Sequence, residues 1–265
     1  MQEFTYHGCD DCPLHATIVG EGPALVLLHG GGPDHHSMRP LADRLADRYT
    51  VVLPDIRGYG RSTCADPACH TWAQYTADIV SVLDAIGTDQ AGLIGAGLGG
   101  TIALRTCLKQ PDLVSLAVLI SAEEIEDDQA KAVETALMDE FAERVRIQGI
   151  EAAWQLFLPT LQPLIGNLVR DAIPRSDPAS IAAAAAIGRD RAFRSVEELK
   201  SVHTPTLIIP GSDDRHPTAL AEKLARALPR GHLAAVSMSP DLHTADDLAI
   251  AFAPTIRAFL QAVFQ

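Results

Sequence analysis

The feature that most constrains the fold is an alternation of short apolar runs with amphipathic helical stretches. Ala24–Leu28 is a continuous apolar run that ends at a glycine-rich loop, and Leu98–Lys109 has the spacing of a helix. Strands that are apolar along their whole length are typical of a parallel sheet with helices on both faces. We therefore predict an α/β fold with a mainly parallel sheet of about eight strands.

The alternation breaks off in the second half of the chain. Between residues 123 and 200 the sequence has helical patterns interrupted by prolines, and we predict no strand there. The strand pattern resumes at His203–Pro210. We predict a core made of residues 1–122 and 201–265, with a helical cap inserted at 123–200.

Composition and charge narrow the range of partners. The formal net charge is −13 and no run of basic residues occurs, which argues against nucleic acid and anionic membrane surfaces as partners. No apolar run reaches the roughly 18 residues of a membrane span, and the N-terminal residues lack a signal-peptide pattern. We expect a cytoplasmic protein with a small-molecule substrate or ligand, and the sequence leaves its oligomeric state open.

Four motifs follow predicted strands in a distinctive order. They are Leu27–Pro33 (LLHGGGP), Pro54–Ser62 (PDIRGYGRS), Leu93–Gly100 (LIGAGLGG) and Pro205–Asp214 (PTLIIPGSDD), with His243 further on in the chain. In this order they resemble the α/β-hydrolase superfamily, in particular its lactonase, esterase and non-heme haloperoxidase-like branch. The resemblance covers nearly the whole chain except the predicted cap, and it is more specific for the fold than for the substrate.

The nucleophile of that superfamily is the serine of a G-x-S-x-G turn between a strand and a helix. Here Gly95, Gly99 and Gly100 supply small residues, but the nucleophile position is Gly97 and its neighbour is Ala96. The resemblance therefore implies a nucleophile elbow without its reactive hydroxyl. Three interpretations remain open: catalysis was lost while glycine relieves backbone strain, the chemistry needs no covalent intermediate, or a serine hydrolase was inactivated by substitution.

The other members of a catalytic triad have candidates. The resemblance assigns the acid to Asp214, with Asp213 as a turn residue beside it, and the histidine to His243. A carboxylate that fixes an imidazole tautomer allows the free ring nitrogen to take a proton from water or substrate. Such a dyad would act without serine, although both residues could instead be solvated loop residues.

Substrate contacts are predicted from the loops and the cap. The resemblance places an oxyanion hole at the backbone amides of Gly31 and Leu98, and a glycine turn without a ligand is the alternative. His35 and His36 follow the glycine run, and we predict that they contact the substrate. Trp154 would either line the apolar roof of the pocket or pack on the core.

Further residues carry weaker alternatives. Ser37 and Ser121 are the nearest candidates for a substitute hydroxyl nucleophile. Glu123 and Glu124 follow the sixth predicted strand, where they could place a carboxylate near the site or be solvated at the start of the cap. We predict no metal site among the candidate site residues, and the resemblance implies no cofactor.

Four cysteines lie in two segments that this fold would bring to the same end of the sheet. Cys9 and Cys12 are in the first predicted hairpin turn, and Cys64 and Cys69 follow the second motif. They could converge on a structural zinc ion, form disulfides or remain free thiols. The spacing leaves all three outcomes open.

These observations predict an enzyme that acts on a small, fairly apolar, carbonyl-bearing molecule by non-covalent acid–base chemistry. Direct water attack, elimination, isomerisation and cofactor-free oxygenation would all be compatible with a histidine–aspartate dyad. The resemblance supports this range, because the superfamily also includes cofactor-independent dioxygenases and hydroxynitrile lyases. The alternatives are a non-catalytic, ligand-binding pseudo-hydrolase and an inactivated serine hydrolase.

Overall fold

The computed structural model describes residues 1–123 and 128–264, and within them eight strands form one sheet in the order β1-β2-β4-β3-β5-β6-β7-β8. β2 pairs antiparallel with β1 and β4, and the other neighbouring strands are parallel. The predicted α/β-hydrolase fold is therefore confirmed. The strands are β1 (Gln2–His7), β2 (Pro13–Val19), β3 (Ala24–Leu28), β4 (Thr50–Pro54), β5 (Ala91–Ala96), β6 (Val114–Ile120), β7 (Thr206–Ile209) and β8 (Gly231–Leu233).

Helices cover both faces of the sheet. α1 (Arg39–Asp43) and α9 (Ala245–Phe264) pack together on one face. α2 (Trp72–Ile86), α3 (Leu98–Lys109) and α8 (Thr218–Ala227) contribute buried side chains to the core on the other face.

Alternate residues of the central strands point to opposite faces and so build two cores. Val26 and Leu28 pack in the core under α2 and α3, whereas Leu25 and Leu27 pack against α1 and α9. All four side chains are buried. Burial on both faces explains why β3, which carries these four residues, is apolar at every position, as the sequence pattern indicated.

The described residues between β6 and β7 form helices and turns. The α-helices are α4 (Asp128–Gln148), α5 (Ile150–Trp154), α6 (Pro163–Ala172) and α7 (Pro178–Ala184). Side chains of α4, α5 and α6 lie across a cavity from the carboxyl end of β5. This segment thus forms the roof of the candidate site.

By length and composition, α9 could cross a membrane. It meets these criteria of length and composition although no uninterrupted apolar run of that length is present in the sequence. In the fold its residues Leu248, Phe252, Ile256 and Leu260 are buried in the core beside α1. The apolar face of α9 therefore has a packing role in this structure.

Candidate active site

The turn between β5 and α3 holds Gly97 in a backbone conformation that few side chains adopt. Gly97 has φ +48° and ψ −116° and immediately precedes Leu98, the first residue of α3. Its N–H donates to the carbonyl of Ile120 on the neighbouring strand, at 3.0 Å. Glycine occupies such a strained strand-to-helix turn at the least steric cost.

The small residues of this turn have different roles. A Cβ on Gly95 would overlap the backbone of Gly99, and a Cβ on Gly99 would overlap the carbonyl of Leu28. These two glycines therefore allow α3 to pack closely against the sheet. A Cβ on Gly97 would instead meet its nearest neighbours at 3.6–3.9 Å, which is ordinary contact. The structure thus has room above Gly97 for a side chain that the sequence does not supply.

The imidazole that faces this space belongs to His216. Its Nε2 lies 3.7 Å from the Cβ position of Gly97, and its Nδ1 lies 2.8 Å from Asp213 Oδ1. Both side chains are buried, with exposed fractions of 8% for His216 and 6% for Asp213. Because an ionised carboxylate can only accept a hydrogen bond, the ring proton belongs on Nδ1 and the Nε2 lone pair faces the turn.

Asp213 is held in place by its own turn. Its Oδ1 accepts the N–H groups of Arg215 at 3.1 Å and His216 at 2.9 Å, and its Oδ2 accepts the Gln162 N–H at 3.3 Å. Burial alone would raise the pKa of Asp213, but its hydrogen bonds with His216 and Gln162 outweigh burial and lower that pKa. The carboxylate therefore remains ionised and keeps the imidazole oriented.

The two residues assigned to the dyad from the sequence lie elsewhere. Asp214 and His243 are exposed, and neither is among the described residues that line the cavity. The His243 N–H donates to Asp247 Oδ2 at 3.0 Å, which holds this residue at the start of α9. The structure therefore does not place Asp214 and His243 at the cavity. The aspartate and histidine that lie beside the turn at Gly97 are Asp213 and His216, in the loop after β7.

The two residues predicted for the oxyanion hole are neighbours in the structure. A Cβ on Gly31 would lie 3.9 Å from the Cβ of Leu98, and both residues line the cavity. The N–H of Leu98 belongs to the first turn of α3, where amides have no acceptor within the helix. This pair of amides could stabilise a developing negative charge on oxygen.

A cavity of about 160 Å³ lies between the turn at Gly97 and the helices α4, α5 and α6. Its size is close to that of an engineered cavity of roughly 150 Å³ that binds benzene. Trp154 is in its wall, and its ring packs 5.2 Å from that of Phe141. The space therefore suits a small, fairly apolar molecule. Other apolar side chains in the wall include Met38, Met138, Phe157, Leu161, Leu164, Ile165 and Leu168.

Charged side chains interrupt the apolar wall beside His216. Arg215 forms an ion pair with Glu134 of α4, with Nη2 2.8 Å from Oε1, and its guanidinium lies 5.0 Å from the centre of the Phe157 ring. Glu123 Oε1 lies 3.6 Å from the Cβ position of Gly97. Of the two glutamates considered from the sequence, Glu123 is thus at the site, and Glu124 lies outside the described residues.

Comparison with known proteins identifies the family. A model of the Alpha/beta hydrolase family matches residues 25–248. The chain belongs to this family. A thermophilic esterase from Thermogutta terrifontis has the same fold, with a TM-score of 0.85 and 24% identity over 100% of both chains.

Curated relatives of this hydrolase-family chain match it over shorter stretches. An uncharacterised protein of Mycobacterium tuberculosis is 32% identical over 161 residues, which are 59% of this chain and 44% of that protein. A fluoroacetate dehalogenase of Burkholderia is 37% identical over 114 residues, which are 41% of this chain and 38% of the enzyme. The chain thus spans less than half the length of these relatives.

The two histidines predicted as substrate contacts have structural partners in this hydrolase fold. His35 Nδ1 lies 2.8 Å from Asp55 Oδ1, and His36 Nδ1 lies 3.1 Å from Asp34 Oδ1. Burial alone would lower the pKa of His35, but the hydrogen bond and charge of Asp55 raise it. Neither histidine is among the described residues lining the cavity. The structure therefore places both beside the site rather than in it.

The two serines considered as substitute nucleophiles line the cavity. The Ser37 hydroxyl donates to the Asp34 carbonyl at 2.8 Å. Ser121 has φ +51°, and its buried Oγ has no hydrogen-bond partner among the described residues. Within the described residues, neither hydroxyl hydrogen-bonds to His216. A hydroxyl nucleophile would need such a contact with a base to be activated.

Three of the four grouped cysteines converge. The thiol of Cys64 interacts with those of Cys12 and Cys69, whereas Cys9 Sγ contacts the side-chain nitrogen of Gln74 at 3.6 Å. Burial, the largest cause, and the neighbouring Cys64 thiol raise the pKa of Cys12 and of Cys69 to about 11, although the charge of Arg57 lowers both. The cysteines are free thiols in this structure, and no cluster of metal ligands occurs within residues 1–123 and 128–264.

Proposed function

We propose that this chain is an enzyme that acts on a small, fairly apolar carbonyl compound without a serine nucleophile. The observation that carries the proposal is the 3.7 Å distance from His216 Nε2 to the Cβ position of Gly97. In this proposal Gly97 occupies the family's nucleophile position. The pair formed by His216 and Asp213 takes the general acid–base role that the sequence alone assigned to His243 and Asp214.

The proposed chemistry uses the imidazole as the proton carrier. His216 Nε2 takes a proton from water or substrate, and Asp213 stabilises the imidazolium that results. The amides of Gly31 and Leu98 stabilise the negative charge that develops on the carbonyl oxygen. No bond to the protein forms in this scheme, which suits a turn that carries glycine.

The shape and lining of the cavity support the substrate class. The volume of about 160 Å³ and the aromatic wall around Trp154 suit an apolar body. The polar groups converge at one end, beside Gly97, where the carbonyl would lie. The fold shared with a thermophilic esterase adds support for a carbonyl substrate, as an argument by analogy.

The two adjacent aspartates provide a matched test. Asp213→Asn removes the charge that fixes the imidazole, whereas Asp214→Asn changes an exposed neighbour. On a panel of short-chain p-nitrophenyl esters and enol lactones, we expect Asp213→Asn to lower kcat about 100-fold or more. Asp214→Asn should leave kcat unchanged. Equal activity of the two variants would contradict the proposed dyad.

A ligand-binding pseudo-hydrolase is the second candidate, and the lack of a side chain on Gly97 specifically favours it. In that case the cavity binds apolar carbonyl compounds, no compound in the panel is turned over, and His216→Ala leaves binding unchanged. An inactivated serine hydrolase would differ from both, because Gly97→Ser would then restore ester hydrolysis through a covalent acyl-enzyme. Intact-protein mass spectrometry after rapid quenching detects that adduct.

A further inference from the structure

A second ionisable group converges on the point that His216 faces. Glu123 Oε1 lies 3.6 Å from the Cβ position of Gly97, and His216 Nε2 lies 3.7 Å from the same position. Glu123 follows β6 and His216 follows β7, so the sheet brings them together from two adjacent strands. The two atoms flank the volume that a nucleophilic side chain would fill.

Glu123 is not the group that orients the imidazole. Asp213 already occupies His216 Nδ1 at 2.8 Å, and Glu123 is near the point faced by the other ring nitrogen. Glu123 also contributes, after burial, to the raised pKa of Tyr59, whose ring lines the same cavity. Its carboxylate therefore belongs to the reaction side of the imidazole.

We propose that Gly97, His216 and Glu123 form a binding site for the nucleophilic water. A buried water needs two to four polar partners, and these two side chains can each accept one of its hydrogens. The missing side chain of Gly97 provides the space. This inference rests on the proposed function. Among the reactions that the proposed function allows, it selects direct attack by water. Esters or lactones are then the substrate class.

These groups account for each proton and electron pair that moves during hydrolysis. His216 Nε2 takes one proton of the water while the water oxygen bonds to the carbonyl carbon, and the carbonyl electron pair moves to the oxygen held by Gly31 and Leu98. Glu123 accepts a hydrogen bond from the remaining O–H and orients the attack. The electron pair on that oxygen then re-forms the carbonyl as the carbon–oxygen bond to the leaving group breaks, and His216 returns its proton to the departing alkoxide. The carboxylic acid product releases its proton to solvent.

The first test is a crystal structure of the full chain at a resolution that defines ordered water. We expect a water within hydrogen-bond distance of both His216 Nε2 and a Glu123 carboxylate oxygen. Gly97→Ala should lack that water, because its methyl group would occupy the space. An empty space above Gly97 in the wild-type protein, or a Glu123 side chain directed away from it, would overturn the inference.

The second test uses the same ester panel. Glu123→Gln should lower kcat about 100-fold with little change in KM, and formate should partly restore the activity of Glu123→Ala. Glu140→Gln, an exposed carboxylate on α4, is the matched control and should retain wild-type kinetics. Equal thermal unfolding of the variants would show that folding is intact.

The outcomes separate this inference from the proposed function. Loss of activity in His216→Ala with full activity in Glu123→Gln would overturn the role of Glu123 alone. Full activity in both variants would overturn the acid–base proposal as well. A wild-type protein without turnover on any ester or lactone would overturn the water-attack assignment and leave the other acid–base reactions and the ligand-binding pseudo-hydrolase as candidates.

Discussion

At the scale of single residues, the site depends on which ring nitrogen of His216 faces the turn. The 2.8 Å contact with Asp213 places the ring proton on Nδ1, and the lone pair of Nε2 then faces the space above Gly97. The hydrogen bonds of Asp213 lower its pKa despite burial, so its carboxylate stays ionised at neutral pH. A single hydrogen bond thus sets the direction in which a proton can move.

Asp55 gives a prediction about stability and pH. It is buried and accepts hydrogen bonds from His35 and from the Arg61 N–H at 2.9 Å. Burial alone would raise its pKa, but these bonds and the nearby histidines lower the pKa of Asp55 to about 2. Because the pKa is lower in the folded state, this stabilisation is present above the ordinary value of about 3.9 and is lost as pH falls towards 2.

Asp55→Asn should therefore lower the free energy of unfolding by about 2 kcal/mol at pH 7. The difference from wild type should shrink steadily between about pH 4 and pH 2. Urea unfolding at a series of pH values measures this difference in the free energy of unfolding. Asp214→Asn, which changes an exposed residue, is the control. A difference that stayed constant down to pH 2 would show that the carboxylate charge is not the cause.

At the scale of elements, the junction of β5 and α3 depends on two close backbone contacts. Gly95→Ala or Gly99→Ala would force backbone atoms apart, and we expect a loss of about 1–3 kcal/mol or more in the free energy of unfolding. Gly30→Ala is the matched control, because a Cβ there meets its nearest neighbour only at 3.6 Å. Chemical denaturation measures all three. Gly95→Ala as stable as Gly30→Ala would contradict this account of the turn.

The same junction shows why parts of the structure could be predicted from the sequence. The apolar run of β5, the glycines of the turn and the helical spacing of α3 are local signals that agree with one another. The predicted bounds of α3, Leu98–Lys109, match those in the structure. The close contact of Gly99 with Leu28 is long-range and was not predicted, because the resemblance implied only that small residues occupy this turn.

The identity of the aspartate and histidine that lie beside Gly97 depended on geometry that the sequence pattern did not contain. Asp214 and His243 were assigned by their order along the chain, but order does not say where a loop directs its side chains. The signal available was the spacing of Asp213 and His216, which allows an aspartate to accept two N–H groups of its own turn. That local turn determines which histidine reaches Gly97.

At the scale of the whole molecule, the site forms where the helices between β6 and β7 meet the carboxyl end of the sheet. Arg215, next to His216 in the chain, pairs with Glu134 of α4 and stacks on Phe157. The loop that carries the imidazole is thus tied to the roof of the cavity. Packing of this kind depends on contacts between distant segments, so the sequence left open whether Trp154 lines the cavity or packs on the core.

The most direct test of the account compares the two candidate histidines. We predict that His216→Ala lowers kcat/KM by about 100- to 10,000-fold on the best substrate of the ester and lactone panel. His243→Ala, which changes an exposed side chain at the start of α9, should leave kcat/KM unchanged. Loss of activity in His243→Ala together with full activity in His216→Ala would contradict the account.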